Sequence, residues 1–289
     1  MDTEKCRALL CTIETGSLSA AAERLGYTPS GISRMMASLE METGFPLLVR
    51  SRSGVVPTKE CQSLMPAFRA LASWGEQFSQ LASEIRGLDE GVVTVGISSS
   101  GYYRWLSELI AAFCKSYPNI EVRVLDGLSS ELAAALGDRT ADLCLISRRE
   151  GDFQWMPLAT ERMVAWVPKG HPLAAGDTFP LAAFATEPYI DICRPSETDC
   201  SLTFDKYGIC PNVRFTTTDP YSAYLMVEAG LGVSLNQSLT ARDWQGGVVV
   251  MPLDPPQPVE IGIALPETMS PAACKFADFA ADRAHLATN

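Results

Sequence analysis

The sequence predicts an α+β chain of more than one domain, on three observations. Near the N-terminus, two apolar stripes of helical spacing flank a glycine-containing turn. A single helical run follows from Thr58 to Arg86, with apolar residues at every seventh position. From Val92 onward, short apolar strands alternate with amphipathic helices. At 289 residues the chain exceeds what one compact domain usually needs, and a hydrophobic content of 47% is ample for buried cores.

The first stripe is Leu18, Ala21, Ala22 and Leu25, at i, i+3, i+4, i+7. Gly26 breaks it and suits a left-handed helix stop. Thr28 can cap the next helix, and Pro29 sits where a missing N–H costs nothing. Ile32, Met35, Met36 and Leu39 form the second stripe. Two short helices on a tight turn make a helix-turn-helix. Cys6, Leu9, Leu10 and Ile13 predict a further helix before the pair, ended by Thr15-Gly16. Ser30, Ser33, Arg34 and Ala37 share a face that stays out of the core. Small hydroxyl residues let a helix enter a DNA major groove, and an arginine there can fork onto guanine or grip phosphate.

After Glu40 the sequence E-T-G-F-P stops the helix. Leu47-Leu48-Val49, then Arg50-Ser51-Arg52-Ser53-Gly54, then Val55-Val56 reads as a short hairpin with two arginines at its tip. A basic hairpin beside a recognition helix is the wing of a winged helix, able to reach a phosphate backbone or a narrow minor groove.

Net charge is −11, with a sequence pI near 4.7, which taken globally argues against nucleic acid. Between Arg24 and Lys59, however, the cations Arg24, Arg34, Arg50, Arg52 and Lys59 outnumber the acids Glu40 and Glu42. That segment is locally basic, and the acid excess elsewhere would keep the rest off DNA. The N-terminus lacks an apolar signal region, and no run approaches a membrane span, so a cytoplasmic chain with no membrane partner is expected. The nine cysteines show no CxxC, and the two histidines, His171 and His285, are too scattered for a site. No metal and no cofactor is expected. No Ser/His/Asp order, P-loop or GxGxxG after a strand is present, so an enzyme is not expected.

The segments A-A-E-R-L-G, T-P-S-G-I-S-R and L-V-R-S-R-S-G-V-V-P-T occur in that order and resemble the N-terminal domain of LysR-type transcriptional regulators. The resemblance implies that Thr28, Pro29, Ser30, Ser33 and Arg34 face DNA and that Arg50 and Arg52 form the wing. Met35, Met36 and Ala37 stand where the family often has further basic or amide residues, which leaves few phosphate contacts.

In the long helix, Leu64, Leu71, Phe78 and Ile85 repeat every seven residues, as do Ala67, Trp74 and Leu81, offset by three. Interleaved heptad rows make a coiled-coil seam, so Leu64, Leu71, Trp74, Phe78, Leu81 and Ile85 are expected to pair with a second chain. Dimerisation would supply two recognition helices and offset a thin single-site interface. Gly87 to Gly91 reads as a hinge.

Beyond it, strands are expected at Val92–Ile97, Ile120–Leu125, Leu143–Ile146, Met163–Val167, Tyr189–Ile192, Val213–Thr217, Gly232–Leu235 and Val259–Leu265. Helices are expected at about Tyr102–Ser116, Ser129–Leu136, Asp219–Ala229 and Ser270–Ala284, and the alternation predicts parallel units. This order resembles the effector-binding region of the same family, two α/β lobes of the periplasmic-binding-protein kind crossed twice by the chain, near Glu161–Pro168 and Glu260–Pro266. The expected domains are a winged helix-turn-helix over 1–58, a linker helix and hinge over 59–90, and an effector domain over 91–289. Its first lobe would hold about 91–162 and 266–289, its second about 163–265.

Ligands in open α/β sheets bind beyond the carboxyl ends of strands, and between lobes where there are two. Ser98, Ser99 and Ser100 follow the first strand there, and Ser100 matches the family's effector-contacting serine best. Ser129 opens the next helix and Ser147 ends the third strand. Asp191, Ser196, Thr198, Thr218 and Asp219 lie at comparable ends in the second lobe. Leu128 stands where carboxylate-binding members often carry a hydroxyl.

The reading that follows is a DNA-binding transcriptional regulator, modulated by a small-molecule effector in the cleft between two lobes. Its partners would be double-stranded promoter DNA, an effector and its own copies as a homodimer or homotetramer, with room for RNA polymerase. The alternatives are a solute-binding receptor, which the C-terminal lobes alone would fit, and a redox sensor built on Cys193, Cys200 and Cys210. The spacing of those cysteines does not match that of peroxide-sensing members of the family.

Overall fold

The computed structural model describes residues 2–51, 54–86, 89–98, 100–192 and 197–284, with Ser100 by its backbone alone. The chain divides into two compact units, one built mainly on Met1–Gly91 and the other on most of the remainder.

The first unit opens with three helices, α1 (Thr3–Thr15), α2 (Leu18–Leu25) and α3 (Pro29–Thr43). Ser17 caps α2 through the amide of Ala20, and Thr28 caps α3 through the amide of Gly31 at 3.1 Å. Gly26 ends α2 at φ 71°, a left-handed turn that a side chain would strain. The predicted stripes become the core: Ala21, Ala22, Ile32, Met36 and Leu39 are essentially fully buried. Burial of each large side chain is worth about 2 kcal/mol, and this holds α3 in place more than its Ser, Gly and Thr content could. β1 (Leu48–Ser51) and β2 (Gly54–Pro57) form the antiparallel hairpin.

α4 (Lys59–Ile85) begins on a Thr58 cap and runs 27 residues. Its first turns complete the head, with Cys61, Phe68 and Ala72 buried in the same core and Leu64 and Leu71 packed against it. Further along the sequence Trp74, Phe78, Leu81 and Ile85 are exposed, Phe78 at 72% and Ile85 at 88%. The two ends of the heptad rows thus have different surroundings.

The second unit contains, in chain order, β3 (Glu90–Ile97), α5 (Tyr103–Ser116), β4 (Asn119–Asp126), α6 (Ser129–Gly137), β5 (Leu143–Ser147), β6 (Gln154–Pro168), β7 (Phe179–Pro180) and β8 (Tyr189–Ile192). Then come α7 (Asp199–Tyr207), β9 (Val213–Thr217), α8 (Pro220–Glu228), β10 (Ser234–Gln237), β11 (Val248–Asp254), β12 (Pro258–Leu265) and α9 (Pro271–Ala281). The main sheet runs β4-β3-β5-β12-β6-β11-β7, with β10 also paired to β6, and β8 and β9 form a second small sheet.

The expectation of parallel units holds only in part. β3 and β5 are parallel, as are β8 and β9, but β12 is antiparallel to both β5 and β6, and β10 and β11 are antiparallel to β6. The reason is β6 itself, which is 15 residues long where only Met163–Val167 was expected. Gln154–Arg162 pairs with β12, and Met163–Pro168 pairs with β10 and β11. The early part was hidden by Pro157, which borders a bulge of β6 at Leu158, where the pairing steps from Ile261–Ala159 to Gly262–Pro157. The later part is continuously apolar because both faces are covered. Met163, Ala165 and Val167 enter one core cluster, while Val164 and Trp166 enter another. β11 was not expected either, because Pro252 interrupts its run.

Candidate nucleic-acid interface and effector cleft

α3 places its polar face as the spacing requires. Thr28, Pro29, Ser30 and Arg34 are exposed and Ser33 is half-buried, while Ile32 and Met36 beside them are buried. Thr28 and Ser30 hydroxyls lie 3.1 Å apart, so the helix opens on two oxygens that already share a proton. Arg50 is exposed at the end of β1, and Arg52 lies outside the described residues. Glu40, an acid on the recognition helix, has a structural task. Its Oε1 accepts the amides of Leu47 at 2.8 Å and Leu48 at 3.3 Å, which ties the wing to α3. That role left no periodic signal in the sequence.

Within the second unit, a cleft of about 60 Å³ is lined by Ser98, Leu128, Ser129, Arg149, Glu197, Thr198, Asp199 and Gln237. Ser98 follows β3, Ser147 ends β5 and Ser129 opens α6, so two strand-end hydroxyls and one at a helix start converge as expected of an α/β sheet. Ser129 Oγ lies 2.9 Å from Ser98 Oγ and 2.7 Å from Ser147 Oγ. Thr198 caps α7 through the amide of Ser201 and brings Asp199 to the first position of that helix.

Asp199 is the hub. Ser147 Oγ donates to its carboxylate at 2.9 Å, Gln237 Nε2 donates at 2.6 Å, and Arg149 Nη2 lies 2.9 Å from Oδ1. Arg149 Nη1 also donates to Ser147 Oγ at 3.0 Å. Sequence reading missed Arg149, Glu197, Asp199 and Gln237. The available signals were an arginine two positions beyond a strand-end serine, and an aspartate directly after a capping threonine.

The other expected residues are placed elsewhere. Asp191 sits on β8, where burial raises its carboxyl above the usual range and the Tyr189 hydroxyl offsets part of that. Thr218 and Asp219 are exposed, and Asp219 caps α8 by accepting from the amide and hydroxyl of Ser222. Ser99, Ser196 and the side chain of Ser100 lie outside the described residues. Of the three clustered cysteines, Cys193 lies outside them too and Cys210 is exposed. Cys200 donates to the carbonyl of Leu235 at 3.2 Å, and burial pushes its thiol far up. Among the described residues no metal-binding cluster is present, and no helix is long and apolar enough to cross a membrane.

Comparison with known proteins agrees with both halves. Residues 3–62 match the bacterial regulatory helix-turn-helix proteins of the lysR family, and residues 86–285 match the LysR substrate binding domain. An uncharacterised HTH-type transcriptional regulator of Bacillus subtilis, YybE, is 28% identical over 233 residues, covering 78% of this chain and 79% of its own. The fold matches full-length OxyR from Pseudomonas aeruginosa with a TM-score of 0.74 at 20% identity, covering 99% of this chain and 95% of that one. It also matches CbnR, a LysR family regulator solved in complex with its target DNA, with a TM-score of 0.65 at 20% identity, covering 98% and 100%. The chain belongs to the LysR family: it is a transcriptional regulator with a DNA-binding helix-turn-helix head and an effector-binding domain.

Proposed function

We propose that α3 enters a major groove of promoter DNA through Thr28, Pro29, Ser30, Ser33 and Arg34, and that Arg50 and Arg52 hold the backbone beside it. The observation that carries this is the split within one helix: Ile32 and Met36 are buried while Arg34 is exposed. A helix with only a structural task has no need of a hydroxyl-and-arginine outer face next to a hairpin bearing a second arginine. On this reading residues 1–58 are the DNA-binding domain, 59–90 the linker and dimerisation helix, and 91–289 the effector domain with its two lobes. Trp74, Phe78, Leu81 and Ile85 pair two copies, and a small molecule in the Ser98–Ser129–Ser147 cleft biases the spacing of their arms. Such a regulator works where the chromosome is, in the cytoplasm, with RNA polymerase as a further partner at the promoter.

The redox alternative finds little support, since the half-buried Cys200 thiol is held by a carbonyl and desolvation raises it far above the usual thiol range. A gel shift on a regulated promoter tests the main reading: Arg34→Ala weakens retention at matched salt with oligomeric mass unchanged. Equal retention by both proteins would contradict it.

A further inference from the structure

Asp199 is a carboxylate held by three side-chain donors. Its donors come from separate places: Ser147 at the end of β5, Arg149 just beyond it, and Gln237 at the end of β10. The Arg149 side chain is 8% exposed and that of Asp199 15%. Removing such a pair from water costs several kcal/mol, which is recovered only when the remaining donors are satisfied. Here they are not. Arg149 Nε is buried and makes no hydrogen bond among the described residues; its ion pair with Glu197 Oε1 is long, at 3.6 Å, and Glu197 is half exposed.

The geometry matters because Nε and Nη2 form one edge of the guanidinium. That edge donates two parallel hydrogen bonds to a carboxylate. Asp199 takes Nη2 and leaves Nε, so the fork is half used. At the start of α6, Glu131 Oε2 already accepts the Leu128 amide at 2.9 Å. The cleft of about 60 Å³ is narrow, and Arg149 and Asp199 both line it.

We infer that Asp199 is a tethered stand-in for the effector's carboxylate, and that binding exchanges one carboxylate for the other on Arg149. This rests on reading the cleft as the effector site. The effector is then a small carboxylic acid, which takes Nε and Nη2 together. Release of Asp199 frees the first turn of α7 from Ser147 and Arg149, so ligand exchange becomes a movement of that helix. An internal competitor lowers the apparent affinity by the fraction of time it occupies the receptor.

The test is a calorimetric titration of the full chain with sodium acetate, without DNA. Asp199→Ala is expected to tighten acetate binding by about tenfold or more, and adding Arg149→Gln to cancel the gain. Asp199→Asn keeps the shape and weakens the hold on Arg149, so it gives a smaller gain in the same direction and carries the test where the alanine variant does not fold. Acetate affinity equal to the native value in both single variants would overturn the inference. So would a gain that survives Arg149→Gln, or tighter binding of ethylamine than of acetate by the Asp199→Ala protein. A parallel gel shift of the native chain on its promoter keeps the two readings apart: loss of that shift alongside an intact acetate gain removes the regulator assignment and leaves the receptor.

Discussion

The amide of Val55 donates to the carbonyl of Gly16 at 2.8 Å, which pins the wing to the end of α1. Gly54, the residue before it, has φ +125°, and a Cβ there would stand 2.9 Å from the same Gly16 oxygen. Both the backbone angle and the contact demand glycine. Gly54→Ala should cost on the order of 1–3 kcal/mol and loosen the wing. Thermal denaturation reads the first effect and promoter affinity the second. A variant melting with the native protein would show that the hairpin is not held this way.

Arg34 has no burial to lose, so its removal isolates the interface. Arg34→Ala should weaken promoter binding by about 1–3 kcal/mol if it reads a base edge. If it grips phosphate instead, affinity falls alike on all sequences, and the slope against salt drops by about one. Titrations at several salt concentrations on specific and scrambled DNA separate these outcomes. No change on either would take Arg34 out of contact.

Phe78 is 72% exposed on α4, seven residues beyond Leu71, which packs on the head core. A charge at the latter would damage the fold, whereas one at Phe78 should leave it intact and act on association alone. Phe78→Asp should therefore shift mass toward the monomer in light scattering while helical content is preserved. Unchanged mass over a dilution series would mean that the exposed row pairs with something else.

How much of this was legible depends on how local the determinant is. The head could be read because Leu18–Leu25 and Ile32–Leu39 carry their burial in their own spacing, and caps such as Thr28 act within a few residues. β6 could not be read in full, because what makes Gln154–Arg162 a strand is β12, about a hundred residues later in the sequence. The cleft divides the same way. Ser98 and Ser147 sit at strand ends and Ser129 at the start of the helix after β4, where topology alone puts a ligand. Arg149 and Asp199 meet only because β5 and α7 are folded together, 50 residues apart in the chain, and no periodicity encodes that meeting. Glu40 is in the sequence only one of two acids in a basic segment; its two amide partners in the wing come together through the fold.

Asp191 gives a prediction in pH. Burial raises its folded-state carboxyl above the ordinary 3.8, and the bond from Tyr189 only offsets this. In the window above 3.8 the folded chain then holds more protons at this group than the unfolded one. Stability from Asp191 is present below that window and is lost as pH rises through the folded value, opposite to a salt-bridged aspartate. Asp191→Asn removes the titration while keeping an acceptor for Tyr189. Urea midpoints of the two proteins, followed between about pH 4 and pH 7, should diverge in favour of the variant as pH increases. A constant difference would show that the carboxylate is as well solvated folded as unfolded. A difference of the opposite sign would mean that a cation or donor reaches Asp191 and outweighs its burial.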